Sequence, residues 1–283
     1  MNGREDMMYI QTSSKKYDIS KQTLIMGILN TTPDSFSDGG SYPSIEDAVK
    51  KAVEMERDGA HIIDIGGEST RPDHTPITTE EEIERVLPVI QAVKEAVSIP
   101  ISIDTFKAKT AEAAIQAGAE IINDIWGAKK EPEIAKVAAK YDVPIILMHN
   151  RDNMDYVSLM DDMVTDLEES IAIAREAGVK KEHIILDPGI GFAKEIQDNF
   201  LVMRHLDRLI EQLPYPFLLG ASRKRFINEV IDIPANERDN ATGATTCYGI
   251  AQGARIVRVH EVKETKELVT MMDAMINGVG LNG

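Results

Sequence analysis

Between Ile101 and His149 the chain reads Ile101-Ser-Ile-Asp104, then Glu120-Ile-Ile-Asn-Asp124, then Pro144-Ile-Ile-Leu-Met148-His149. Each is a short apolar run that stops at a polar residue, and segments of helical periodicity lie between them. The same layout extends outward in both directions. Toward the N-terminus, Leu24–Leu29 stops at Asn30 and His61–Ile65 stops at Gly66. Toward the C-terminus come His183–Asp187, Pro216–Gly220 and Arg255–His260. Eight such units predict an α/β chain folded as a (β/α)8 TIM barrel, with parallel strands inside and helices outside. Chemistry in that architecture gathers where strands end, so the run ends are also the first candidate site residues.

The runs show no apolar–polar alternation, as expected of parallel strands covered on both faces. Ser44 is a plausible N-cap for a helix with Ile45, Ala48, Val49 and Ala52 on one face. A helix from about Thr79 carries Ile83, Val86, Leu87 and Ile90, and Pro88 inside it predicts a kink. Thr265, Leu268, Val269, Met272 and Ile276 line a last helix. An open doubly wound sheet would normally carry Gly-x-Gly-x-x-Gly after an early strand, and that pattern is absent. The reading is a single barrel domain over residues 23–283 with an N-terminal extension over residues 1–22. Two long connections, Thr31–Pro43 and Gly66–Thr78, have the length of binding loops and carry Phe36 and Arg71.

The 283 residues suit one barrel. With 31 Lys+Arg against 47 Asp+Glu the net charge is −16, which argues against nucleic-acid or anionic-membrane partners. The single cysteine, Cys247, and the lack of a signal peptide or spanning segment fit a cytoplasmic protein.

Against this acidic background Arg223, Lys224, Arg225, Arg258 and His260 gather at the ends of the seventh and eighth runs, where barrels commonly hold phosphate. Gly220-Ala221-Ser222 leads into a helix start, which favours an anion. Surface ion pairing is the alternative, but Arg258 lies inside a strand, a costly place for an unpaired charge. Asp104, Asn123 and Asp187 end the third, fourth and sixth runs and can converge on one pocket. Such a set can read a heteroaromatic edge with adjacent N–H donors, because a carboxylate accepts two parallel bonds. These residue types also cap helices, and Asp64 and Asp124 are the better candidates for a capping or structural role. Asn30 offers one oxygen to a Mg²⁺ that also touches phosphate. Met148 and Phe192 can sandwich a flat ring or serve as plain core. There is no Cys/His cluster for zinc and no Gly-x-Ser-x-Gly.

Several blocks resemble those of dihydropteroate synthases. They are Gly27-Ile-Leu-Asn-Thr-Thr-Pro-Asp-Ser-Phe-Ser-Asp-Gly-Gly40, Asp64-Ile-Gly-Gly-Glu-Ser-Thr-Arg-Pro72, Ile103-Asp-Thr105, Ile122-Asn-Asp124, Leu186-Asp-Pro-Gly-Ile-Gly-Phe192, Ser222-Arg-Lys224 and Arg258-Val-His260. The resemblance covers the chain from about residue 22 onward. It implies a folate-pathway transferase that joins 7,8-dihydropterin-6-ylmethyl diphosphate to 4-aminobenzoate and releases pyrophosphate, with Mg²⁺ as helper and sulfonamides as competitors. It implies that Asp104, Asn123, Met148, Asp187 and Lys224 hold the pterin with Arg258 on its face. Asn30 would bind the metal, and Asn30, Arg71, Arg258 and His260 the diphosphate. Phe36, Thr70, Pro72, Phe192, Lys224 and Arg225 would form the aminobenzoate site. Asp104, Lys224 and Arg258 would carry the chemistry, and the family is usually homodimeric. Arg225 stands where the family often has serine, so it either meets the aminobenzoate carboxylate or points away. Competing readings are a pterin-dependent methyltransferase, a Schiff-base aldolase using Lys224, or a pterin-binding protein without catalysis.

Overall fold

In the computed structural model, residues 8–31, 44–68 and 76–278 are described. Eight parallel strands form one sheet: β3 (Leu24–Asn30), β4 (Ile62–Gly66), β5 (Ile101–Asp104), β6 (Ile121–Asp124), β7 (Ile145–Met148), β8 (Ile184–Asp187), β9 (Leu218–Leu219) and β10 (Ile256–Val259). Their order is β8-β7-β6-β5-β4-β3-β10-β9. The ring closes where Leu186 bridges Phe217 and its N–H donates to the Pro216 carbonyl at 2.9 Å. This is the barrel that the apolar runs predict. The seventh strand is shorter than the run Pro216–Gly220.

Helices α1 (Ile45–Arg57), α2 (Thr79–Ala96), α3 (Ala108–Ala117), α4 (Glu133–Tyr141) and α5 (Leu159–Glu176) follow successive strands. After β8 come α6 (Ile196–Arg204) and α7 (Leu206–Gln212). After β9 come α8 (Arg225–Ile231) and α9 (Asp239–Ala251), and α10 (Val262–Asn277) follows β10. Ser44 does cap α1, its hydroxyl accepting from Asp47 N at 3.1 Å. Thr78 and Glu81 form a reciprocal capping box on α2. That helix runs unbroken through Pro88, which lies on its exposed side. Ile45 and Ile276, expected on buried faces, are 42% and 44% exposed.

The sheet hides a two-residue period beneath its uniform hydrophobicity. One set of side chains packs outward against the helices, including Ile25, Ile63, Ile103, Ile122, Leu147, Leu186 and Val257. The alternate set fills the barrel: Leu24, Met26, Ile62, Ile121, Ile146, Ile185, Leu218 and Ile256. Successive side chains of a strand face opposite ways, so the residue two beyond each inner apolar residue also faces inward. At the upper end of the barrel those positions are Ile28, Asp64, Asn123, Met148, Asp187, Gly220 and Arg258. The barrel therefore changes from an apolar floor to a polar upper layer within one pleat.

The floor is sealed from below by an antiparallel hairpin, β1 (Tyr9–Gln11) and β2 (Lys16–Asp18). Ile10 and Ile19 are each 1% exposed and belong to the same inner cluster. Ser14 donates to Glu120 Oε2 from its N–H and its hydroxyl, both at 2.8 Å, and Tyr17 donates to the His61 carbonyl. The hairpin is thus a plug, and its two isoleucines complete the barrel core. Ile10→Ala is expected to cost about 2–5 kcal/mol, the range for truncating a buried isoleucine. Urea denaturation measures it, and a loss under about 0.5 kcal/mol would show that the floor is sealed without Ile10.

Candidate active site

The polar layer is built around Arg258 on β10. Its Nε donates to Asp64 Oδ2 at 2.6 Å and its Nη2 to Asp104 Oδ2 at 2.8 Å. Asn123 Nδ2 donates to the same Asp64 oxygen at 3.1 Å. Strands β4, β5, β6 and β10 are thereby tied across the barrel mouth. Asp64 is wholly buried, so of its two expected roles it takes the structural one, as the anchor of this network rather than a helix cap. Asp124, one residue past Asn123, has the opposite parity. It accepts from Trp126 N at 2.8 Å and Ala128 N at 2.6 Å and closes its turn, which is the structural role expected of it.

The charges are strongly perturbed. Burial pushes the Asp104 carboxyl well above the usual range, against the pull of Arg258. Burial also raises Asp187, with Lys224 opposing. Burial works against the Arg258 charge, but Asp64 and Asp104 outweigh it and hold the guanidinium ionised. Because Nε and Nη2 are engaged by acids, the guanidinium is fixed in orientation, and the side chain keeps 20% of its surface exposed.

Opposite this network lies the turn after β8. Asp187 is 5% exposed, and its Oδ1 accepts from Gly189 N at 2.7 Å. Gly220 leaves room beside it: a Cβ there would lie 3.6 Å from Asp187 Oδ2. Met148 pairs with Asp187 in register and is nearly buried. Lys224 is not the exposed residue expected at a helix start. It reaches back so that Nζ donates to the Ile190 carbonyl and sits 4.4 Å from the Phe192 ring centre. Burial pushes its ammonium down to about 8, with Asp187 opposing. Seven predicted residues therefore share one mouth: Asp104, Asn123, Met148, Asp187, Phe192, Lys224 and Arg258.

His260 stands two residues beyond Arg258, its Nδ1 2.9 Å from the Ser222 hydroxyl. Asn30, half-buried, ends β3 beside Gly66. The neighbouring cations divide. Arg223 turns away to grip Asp239 with Nε and Nη2, both at 2.7 Å. Arg225 is 83% exposed and lies 4.0 Å from Glu229, one helical turn on. As the first residue of α8 its side chain points outward, the second of the two placements expected of it. Phe36, Thr70, Arg71 and Pro72 lie outside the described residues.

Residues 26–260 match the pterin binding enzyme family. A dihydropteroate synthase of Bacillus subtilis strain 168 is 54% identical over 273 residues, 96% of this chain and 95% of that protein. The chain belongs to the dihydropteroate synthases. The dihydropteroate synthase of Clostridium difficile, solved in the presence of pteroic acid, superposes with a TM-score of 0.89 at 46% identity, covering 92% of this chain and 98% of that one. That of Xanthomonas albilineans, solved with 4-aminobenzoic acid, gives 0.90 at 36% identity over 96% and 99%. No described helix is long and apolar enough to cross a membrane.

Proposed function

We infer that the chain condenses 7,8-dihydropterin-6-ylmethyl diphosphate with 4-aminobenzoate to give 7,8-dihydropteroate and pyrophosphate. The observation that carries this is the mouth itself. The Arg258 guanidinium held by Asp64 and Asp104, the buried Asp187 and the half-buried Lys224 gather at one end of the barrel. In our reading Asp187 accepts from the amino-pyrimidinone edge of the pterin, Asn123 and Lys224 complete its rim, and the ring lies on the Arg258 face beside Met148. Asp104 lies where positive charge develops when the CH2–O bond breaks, and it stabilises that charge. The diphosphate leaves with the bonding electron pair. The aniline nitrogen then forms the new C–N bond and loses its proton. No strong base is required, because the nucleophile is neutral.

His260 and Ser222, with Arg71 from the second loop, hold the diphosphate in this reading. Phe36, Thr70, Pro72 and Phe192 form the aminobenzoate side next to Lys224. Mg²⁺ fits the chemistry of Asn30: it needs few protein ligands, and the described residues contain no acid or histidine cluster that would hold a metal alone. When bound it would neutralise charge on the departing diphosphate. Tyr248 on α9 and Met271 and Met275 on α10 are 47%, 59% and 63% exposed, a surface suited to the family's homodimer. The single cysteine suits a cytoplasmic location.

The test is pyrophosphate release from the pterin diphosphate with Mg²⁺, with and without 4-aminobenzoate. Release that depends on 4-aminobenzoate and yields dihydropteroate is expected, and sulfonamides should compete with that substrate. Pterin binding without turnover would shift the assignment to a methyltransferase or a binding protein. The pH profile supplies a second check. Lys224 must be protonated to donate, so kcat/KM for the pterin diphosphate should fall on the alkaline side near pH 8. Lys224→Arg cannot lose its charge there, so the limb should move well upward. A limb that stays in place in that variant belongs to another group.

A further inference from the structure

We propose that Lys194 is a positioning residue for the pterin site: its ammonium gathers the turn between Asp187 and Phe192 and so sets both Asp187 and Lys224. The proposal rests on the pterin-site reading above and extends it to a residue that touches no substrate.

Lys194 is 8% exposed, and its Nζ has three partners: His149 Nδ1 at 2.8 Å, the Gly189 carbonyl at 3.1 Å and the Phe192 carbonyl at 3.1 Å. An ammonium has three hydrogens, so its donor capacity is filled. The histidine is prepared for this. His149 is wholly buried, and its Nε2 lies 2.9 Å from Asp166 Oδ2, which also accepts from Arg151 Nε at 2.5 Å. A carboxylate can only accept, so Nε2 carries the proton and Nδ1 presents a lone pair to Lys194. Burial keeps this imidazole neutral, down to about 4, with Asp166 opposing. Donation therefore runs from Lys194 to His149 to Asp166, and Arg151 donates to the same carboxylate from the other side.

The turn needs such a centre. Gly189, Gly191 and Ala193 all have positive φ, at 67°, 82° and 44°. A Cβ at Gly189 would lie 2.0 Å from the His149 carbonyl, so the backbone here is pressed against β7's end. Two carbonyls converge on one point, an arrangement that repels unless a cation lies between them. The rest of the same turn faces the site. Gly189 N–H holds the Asp187 carboxylate, the Ile190 carbonyl holds Lys224, and the Phe192 ring lies beneath Lys224. A turn that relaxes therefore moves an acceptor and a donor of the pterin site together. The three hydrogen bonds of Lys194 go to His149 and to this backbone, and its charge also reaches Asp187 through space.

The experiment measures pterin affinity by titration, turnover by pyrophosphate release, and melting temperature for wild type, Lys194→Met, His149→Leu and His149→Gln. Glutamine can accept from Lys194 with its oxygen and donate to Asp166 with its amide. We expect Lys194→Met and His149→Leu to weaken pterin binding by about tenfold to a hundredfold, as misplacement of a site by a fraction of an ångström does. His149→Gln should recover most of that loss. Should Lys194→Met fail to fold, the two His149 variants decide. Pterin affinity of folded Lys194→Met within about threefold of wild type overturns the proposal, as does equal behaviour of the leucine and glutamine variants. Wild type that binds pterin without releasing pyrophosphate removes the synthase reading and leaves this inference standing.

Discussion

Asp187→Asn is expected to weaken pterin binding by about a hundredfold or more while leaving the fold intact. The carboxylate has two acceptor oxygens, and Oδ1 is committed to Gly189 N–H at 2.7 Å. An asparagine would turn its single oxygen toward that N–H and present its amide donors to the ligand. The pterin edge also presents donors, so an acceptor–donor match becomes a donor–donor conflict. Hydrogen bonds to a charged group contribute about 1.5–3 kcal/mol each, and tenfold in affinity is about 1.4 kcal/mol. Losing two such bonds therefore exceeds a hundredfold. Stability should move the other way. The folded carboxyl has a raised pKa because burial penalises its charge. A raised acid pKa means that stability is full below the unfolded value and is lost as pH rises through the folded one. Asparagine carries no such penalty, so near neutral pH the variant should unfold no more readily than wild type. Calorimetric titration with a pterin and thermal melting give both numbers. An affinity within tenfold of wild type would remove Asp187 as the pterin's acceptor.

Much of this was legible in the chain, and what was not has physical causes. Eight apolar runs with helical spacers were enough for the barrel, because parallel strands buried on both faces must be apolar throughout. The same uniformity conceals which face each residue takes. Asn123 and Asp124 are neighbours of similar polarity, yet one enters the mouth and the other closes a turn. Only the inner apolar residue two positions earlier, Ile121, distinguishes them. By that parity Asp64 follows Ile62 into the barrel and could have been recognised as a partner for Arg258. Arg223, Lys224 and Arg225 look alike in sequence. Their fates diverge because Arg223 takes a left-handed φ of 58°, Lys224 is extended at the helix N-cap and Arg225 starts the helix. Lys194 carried no signal of its own. Its importance comes from a histidine forty-five residues away, brought near only by the closure of β7 on β8.

Removing the central cation should be the most damaging single change to stability. In Arg258→Met the fully buried Asp64 would keep only the Asn123 amide, and Asp104 would lose its guanidinium partner. Breaking a buried pair from one side leaves an uncompensated charge and costs about 3–5 kcal/mol. Asp64 Oδ1 already lacks a hydrogen-bond partner among the described residues, so no spare donor is in place to absorb the loss. The folded state can respond only by binding protons. Asp104, already raised by burial, would then titrate higher still in the folded chain, and folding would take up protons. The deficit should therefore be largest at alkaline pH and shrink as pH falls through the folded pKa values. Combining Arg258→Met with Asp64→Asn should recover much of the stability, because the orphaned charge is gone, without restoring activity, because the guanidinium proposed to carry the pterin ring remains absent. Urea titrations across pH for the single and double variants separate these terms. A single variant within about 1 kcal/mol of wild type at every pH would mean that water reaches Asp64, and the dry ionic layer at the barrel mouth would have to be abandoned.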